Sequence, residues 1–149
     1  MKEAQNLAYA RLARREHSRL ELYDYLKNKG VESSLARSLL DGFVEKGWIN
    51  DERYAELLIR SEVRKGKGAH HIQRKLKAKG ISLDLAEIKR LSGEEDIETE
   101  VTRAQEIVER RYSEVAQDVA ARRRAYQALL RRGFSFEVAR QAIERLGKR

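Results

Sequence analysis

The sequence predicts an all-α fold, a tandem array of three three-helix units drawn out into an elongated molecule. One observation is compositional: 149 residues contain no proline, three phenylalanines and one tryptophan, Ala, Leu, Glu, Lys and Arg dominate, and no stretch alternates like a strand. The other is a phrase that recurs three times: Leu26-Lys27-Asn28-Lys29-Gly30-Val31, Leu76-Lys77-Ala78-Lys79-Gly80-Ile81 and Leu129-Leu130-Arg131-Arg132-Gly133-Phe134. Past each glycine stands a branched apolar residue followed by alanine: Leu35-Ala36, Leu85-Ala86 and Val138-Ala139. The three glycines lie about 50 residues apart, a period that signals an array of small structural units.

Physically the phrase is a helix stop. A left-handed glycine just past a helix end places the leucine four residues back at C3 and the following apolar residue at C″, the pair that touches in a Schellman motif. The cations before each glycine fall in the last turn, where they complement the negative end of the helix dipole.

The first unit spans about residues 4–48. Ala4, Leu7, Ala8 and Leu12 give an opening helix, Ser18 caps a second that carries Leu22, Tyr25 and Leu26, and Leu35, Ala36, Leu39, Leu40, Phe43 and Val44 form a third. Gly47 ends it in the same way, with Trp48 in reach of Phe43. The second unit, 49–93, starts with a helix capped by Asn50 or Asp51, with Tyr54, Leu57, Leu58 and Ile59 as its apolar positions. Arg64 to Gly68 breaks that helix, and Ala69, Ile72 and Leu76 line the next. Its third helix should be the least regular, since Ile88 and Leu91 miss the spacing of Leu39, Leu40 and Phe43, and Ser92-Gly93 cuts it short. The third unit, 94–149, is entered through acids that favour a helix amino terminus. Ile97, Val101, Ala104 and Val108, then Val119, Tyr126, Leu129 and Leu130, then Val138, Ala139, Ala142, Ile143 and Leu146 mark its helices.

Charged residues make up 38% of the chain and the formal net charge is +8, so polyanions or acidic protein surfaces are the expected partners. The cations cluster. From Arg60 to Lys79 there are eight, opposed only by Glu62, and from Arg122 to Arg132 there are five arginines and no acid. Candidate binding residues are Arg64, Lys65, Lys67, Arg74 and Lys75 in the first cluster and Arg122, Arg123, Arg124, Arg131 and Arg132 in the second. Solvated helix surface with dipole matching explains Lys77, Lys79, Arg131 and Arg132 equally well. Lys65-Gly66-Lys67-Gly68 resembles a phosphate cradle before a helix, or is a plain interhelical loop; it lacks the spacing of a P-loop.

Tyr25, Tyr54 and Tyr126 lie on apolar stripes and suit packing better than base stacking. His17, His70 and His71 form no metal set, because adjacent helical residues point about 100° apart. No catalytic constellation is readable, so no enzyme, cofactor or metal is expected. Absence of cysteine suits a reducing compartment, and without a signal-like or membrane-length apolar run the cytoplasm is the default.

Taken together, Ser18 to Leu22, Trp48 to Asp51 with Tyr54-Ala55, Arg64 to Gly68 leading to Ile72, and the stops at Gly80 and Gly133 resemble the bacterial RecX family of regulatory proteins. Trp48 departs modestly, standing where tyrosine is the commoner aromatic. The resemblance implies a curved, elongated tandem array. It further implies that such a protein binds the filament of the RecA recombinase on DNA and modulates, usually inhibits, strand exchange, ATP hydrolysis and coprotease activity. A monomer is expected. Single- or double-stranded DNA is a further possible partner. The alternative is a helix-turn-helix-like protein acting directly on DNA through its third helices. Those helices carry Arg37, Asp41 and Glu45, and Glu137, Arg140, Gln141 and Glu144, a mixed surface that makes sequence-specific readout the weaker choice.

Overall fold

The computed structural model describes residues 2–112 and 118–147, so the expected third unit, 94–149, lies partly outside the described residues. Within them the chain is nine α-helices with no strand: α1 (Lys2–Leu12), α2 (Arg19–Asn28), α3 (Ser33–Glu45), α4 (Asp51–Arg64), α5 (Ala69–Ala78), α6 (Leu85–Ser92), α7 (Ile97–Arg111), α8 (Val119–Arg131) and α9 (Phe136–Gly147).

Every repeated glycine stops a helix as the pattern predicts. Gly30, Gly80 and Gly133 have φ of 85°, 80° and 98°. The N–H of Val31 donates to the Leu26 carbonyl at 3.0 Å, that of Ile81 to Leu76 at 3.0 Å and that of Phe134 to Leu129 at 3.1 Å. These are the six-to-one bonds of the Schellman motif, satisfying carbonyls a helix end would leave bare. Gly47 repeats the geometry: the Trp48 N–H donates to the Phe43 carbonyl at 2.9 Å, and the Trp48 ring lies 5.3 Å from Phe43 and 5.1 Å from Tyr9.

Helix starts are equally explicit. Ser18 and Glu21 form a capping box on α2. Of the two candidate caps for α4, Asn50 takes the role, its Oδ1 accepting the Arg53 N–H at 3.0 Å. Asp51 instead accepts the Arg19 N–H at 2.9 Å. As expected, α6 is the shortest helix, with eight residues, and Ala86 on it is exposed where its counterparts Ala36 and Ala139 are buried.

The chain divides into two compact units, residues 1–57 with 76–82, and residues 58–75 with 83–149. In the first, α2 packs on α1 and α3 around Ala8, Leu22, Leu26, Ala36, Leu40, Phe43 and Ile49. Beside that core Glu21 meets Arg15 at 3.1 Å and Lys79 at 3.0 Å. Burial raises the Glu21 carboxyl, but the hydrogen bonds from Arg15 and Lys79 outweigh it and bring it down to about 2. Tyr54, buried and next to that carboxylate, is pushed up to about 12. In the second unit α9 packs on α7 and α8 around Val101, Val108, Leu129, Phe134, Val138 and Ala142. The Arg103 guanidinium forks onto Glu94 at 2.7 and 2.9 Å and lies 4.8 Å from the Phe134 ring centroid.

Four assignments of apolar positions are corrected, those of Val44 and Ile97, 46% and 41% exposed, and those of Leu57 and Val119. Leu57 is 44% exposed, and the buried stripe of α4 runs through Tyr54, Ala55, Ile59 and Glu62 instead. Val119 is 63% exposed at the first turn of α8; the packed face of that helix is Ala121, Ala125, Ala128 and Leu129, small residues that allow close approach.

Candidate polyanion-binding site

Three helix ends in the second unit bring their cations to one place. Helix α4 ends at Arg64 with Lys65 just past it, α7 ends in Arg110 and Arg111, and Arg132 is the C-cap of α8. With Gly66 and Ile107 these residues line a concavity of about 310 Å³. The reason they meet is local. Gly66 (φ 78°) stops α4, with the Lys67 N–H donating to the Glu62 carbonyl at 3.0 Å, and the turn this makes is closed by Arg132. The Arg132 Nη1 donates to the carbonyls of Lys65 and Gly66, each at 3.3 Å. A Cβ at Gly66 would stand 2.8 Å from that Nη1 and 3.3 Å from Ile107, so a side chain there would displace the Arg132 guanidinium.

Below the rim lies Glu62, a carboxylate 1% exposed. Lys75 Nζ is 2.7 Å from it, His71 Nε2 3.2 Å and Lys65 Nζ 3.4 Å. Burial raises the Glu62 carboxyl, yet Lys75 first and then Lys65 hold it below its ordinary value. Burial also depresses the His71 imidazole, helped by Lys67 and Lys75 and opposed by Glu62. A buried carboxylate with these partners is an internally satisfied structural cluster.

Of the ten residues singled out from the sequence, the concavity gathers Arg64, Lys65 and Arg132. Lys75 turns to Glu62. Arg74 is exposed on α5 and Lys67 half-buried after the Gly66 stop. On α8 Arg123, Arg124 and Arg131 are exposed and Arg122 half-buried, and none of the four lines the concavity. Arg110 and Arg111 were missed: amid Glu106, Glu109 and Arg103 they look like ordinary helix surface, although two cations closing a helix just as Arg131 and Arg132 close α8 were a usable signal.

The phosphate-cradle reading of Lys65 to Gly68 does not hold. Each N–H of that stretch is donated to a protein carbonyl: Lys65 to Ser61 and Glu62, Gly66 to Val63, Lys67 to Glu62, and Gly68 to Arg132 at 2.7 Å. Among the described residues no group of three His, Cys, Asp or Glu could hold a metal ion. None of the described helices is long and apolar enough to cross a membrane.

The described residues form an all-helical chain whose second unit holds a cation-lined hollow. Comparison with known proteins gives it a family. Residues 50–88 match the model for the RecX second three-helix domain, and residues 98–143 that for the third. A regulatory protein RecX of Stenotrophomonas maltophilia (strain R551-3) is 36% identical over 132 residues, 88% of this chain and 79% of the relative. Another, from Chromohalobacter salexigens, is 34% identical over 132 residues, 89% and 85% of the two chains. The chain belongs to the RecX family. In fold it is similar to the crystal structure of RecX from Lactobacillus salivarius, with a TM-score of 0.80 at 21% identity over 99% of this chain and 97% of that one.

Proposed function

We propose that this protein binds the RecA–DNA filament and modulates, mostly inhibiting, the recombinase, ATPase and coprotease activities of RecA in DNA repair and recombination. The observation that carries the reading is likeness over 88% of the chain to proteins named as RecX regulators. The cation-rich surfaces support it, because a filament on DNA is itself a polyanion. On this reading the protein is a cytoplasmic monomer of three repeats, 4–48, 49–93 and 94–149. It contacts RecA and, through Arg64, Lys65, Lys67, Arg74, Lys75, Arg122, Arg123, Arg124, Arg131 and Arg132, DNA phosphates or acidic protein surface.

The helix-turn-helix alternative is weakened by the surface of α9. Arg140 is tied to Glu137 at 2.5 Å and to Glu144 at 2.9 Å on the same helix, leaving a locally neutralised face where a reading helix needs donors. The deciding experiment is ATP turnover by a RecA filament on single-stranded DNA, with and without the protein. A dose-dependent fall in turnover is expected. Unchanged turnover, with no retention of the protein on the filament, would overturn the proposal.

A further inference from the structure

The concavity between the ends of α4, α7 and α8 carries more positive charge than the fold requires. Arginines in last helical turns complement helix dipoles, but each helix end is worth only about half a negative charge. Glu62 can be shared with Lys65, yet Lys75 and His71 already engage it. Five cations set against three half-charges and a share of one carboxylate leave a surplus of about two or more positive charges. Among the described residues Arg64, Arg110 and Arg111 have no carboxylate partner, and none of the described residues lining the hollow is a carboxylate or an aromatic ring.

We propose that this concavity is a binding site for a compact polyanion of the phosphate class, a di- or triphosphate chain or the terminal phosphate of a nucleic-acid strand. Four of its five cations are arginines, whose planar forks match phosphate oxygens in pairs, whereas lysine offers a point charge. A volume of about 310 Å³ stands at the small end of ligand pockets, enough for a head group. Its apolar wall is Ile107, which offers nothing for a base to stack on, so recognition is of the phosphates and not of the nucleoside. A single phosphodiester brings one charge, while a terminal phosphate or a phosphate chain brings two or more in the same space and answers the surplus. The side chain of Arg132 is already held in place by the Lys65 and Gly66 carbonyls, so little of its freedom remains to be lost on binding.

The site shares Arg64, Lys65 and Arg132 with the filament reading but does not rest on it, and its test contains no RecA. The full-length protein is titrated calorimetrically with inorganic tripolyphosphate at fixed ionic strength, with sulfate as the charge control. Saturable one-to-one binding is expected, weakened at least about tenfold in the double variant Arg110→Ala/Arg111→Ala and unchanged in Lys27→Ala/Lys77→Ala, exposed cations outside the binding set. Both pairs are exposed, and circular dichroism verifies that each variant is folded. Absence of saturable binding, equal binding of sulfate, or equal loss in both double variants would overturn the site. A nucleoside triphosphate and a short strand with either a 5′-phosphate or a 5′-hydroxyl then separate the sources. Preference for the phosphorylated end assigns strand termini, and binding of the triphosphate assigns a free nucleotide. No discrimination between the two strands, with no triphosphate binding, would overturn the proposal.

Discussion

Gly68 and Gly133 meet main chain to main chain. A Cβ at Gly68 would stand 2.5 Å from the Gly133 carbonyl carbon, and one at Gly133 would collide with the His71 amide. The approach lets the Gly68 N–H reach the Arg132 carbonyl and the His70 N–H reach the Gly133 carbonyl at 3.1 Å. The carboxyl end of α8 thereby caps the amino end of α5 without any side chain. Gly68→Ala is therefore expected to lower stability by about 2 kcal/mol or more, through steric conflict alone, since its φ is not positive. An unchanged thermal midpoint would contradict the contact.

Gly30 and Gly80 share one backbone conformation but not one environment. At Gly30 a Cβ meets nothing within 4 Å; at Gly80 it would press to 2.8 Å from the Leu20 Cβ. Gly30→Ala should cost about 1 kcal/mol, the left-handed conformation only. Gly80→Ala should cost more, and Gly80→Val more again. Equal denaturation midpoints for Gly30→Ala and Gly80→Ala would show that Leu20 yields freely.

Acid should unfold the protein in stages. Glu21 (about 2), Glu62 and His71 all have folded-state values below their ordinary ones, so the unfolded chain binds more protons as pH falls. Their stabilising contribution is whole above the unfolded values. The part due to His71 is lost first, below about pH 6.5, and that of the carboxylates below about 4.5. Glu21→Gln should cost about 2 kcal/mol at pH 7 and flatten the acid limb of a midpoint-against-pH curve. A curve level from pH 7 to 3 would refute the assignment.

Reversing charge at Arg122, Arg123 and Arg124 is expected to weaken binding to DNA or to the filament while helical content stays intact. Binding of the parent protein to naked DNA should fall steeply with added salt. If affinity survives the triple reversal, that run does not belong to the binding surface.

Much of the fold is legible in the sequence because its stops are local. A Schellman motif is written in six consecutive residues, so Leu26-Val31, Leu76-Ile81 and Leu129-Phe134 can be paired without any tertiary knowledge. Ser18 with Glu21 is likewise visible at its own spacing. Buried faces built from small or charged residues are not. Ala121, Ala125 and Ala128 carry little hydrophobic signal, and Glu62 looks like a lone acid among cations because Lys75 and His71 reach it from another helix. The hollow itself depends on where α4, α7 and α8 end in space, which no single segment encodes; Arg64 and Arg132 could be named, but not their convergence with Arg110 and Arg111.

Arg132 closes the turn after α4 with the same guanidinium that faces the hollow. Occupancy and local order at this corner are thus linked. An anion drawn to Arg132 should slow deuterium uptake at the Lys67, Gly68 and His70 amides, while Arg132→Ala should speed it even in an empty protein. The corner reports on its own filling, and peptide-resolved exchange would hear it.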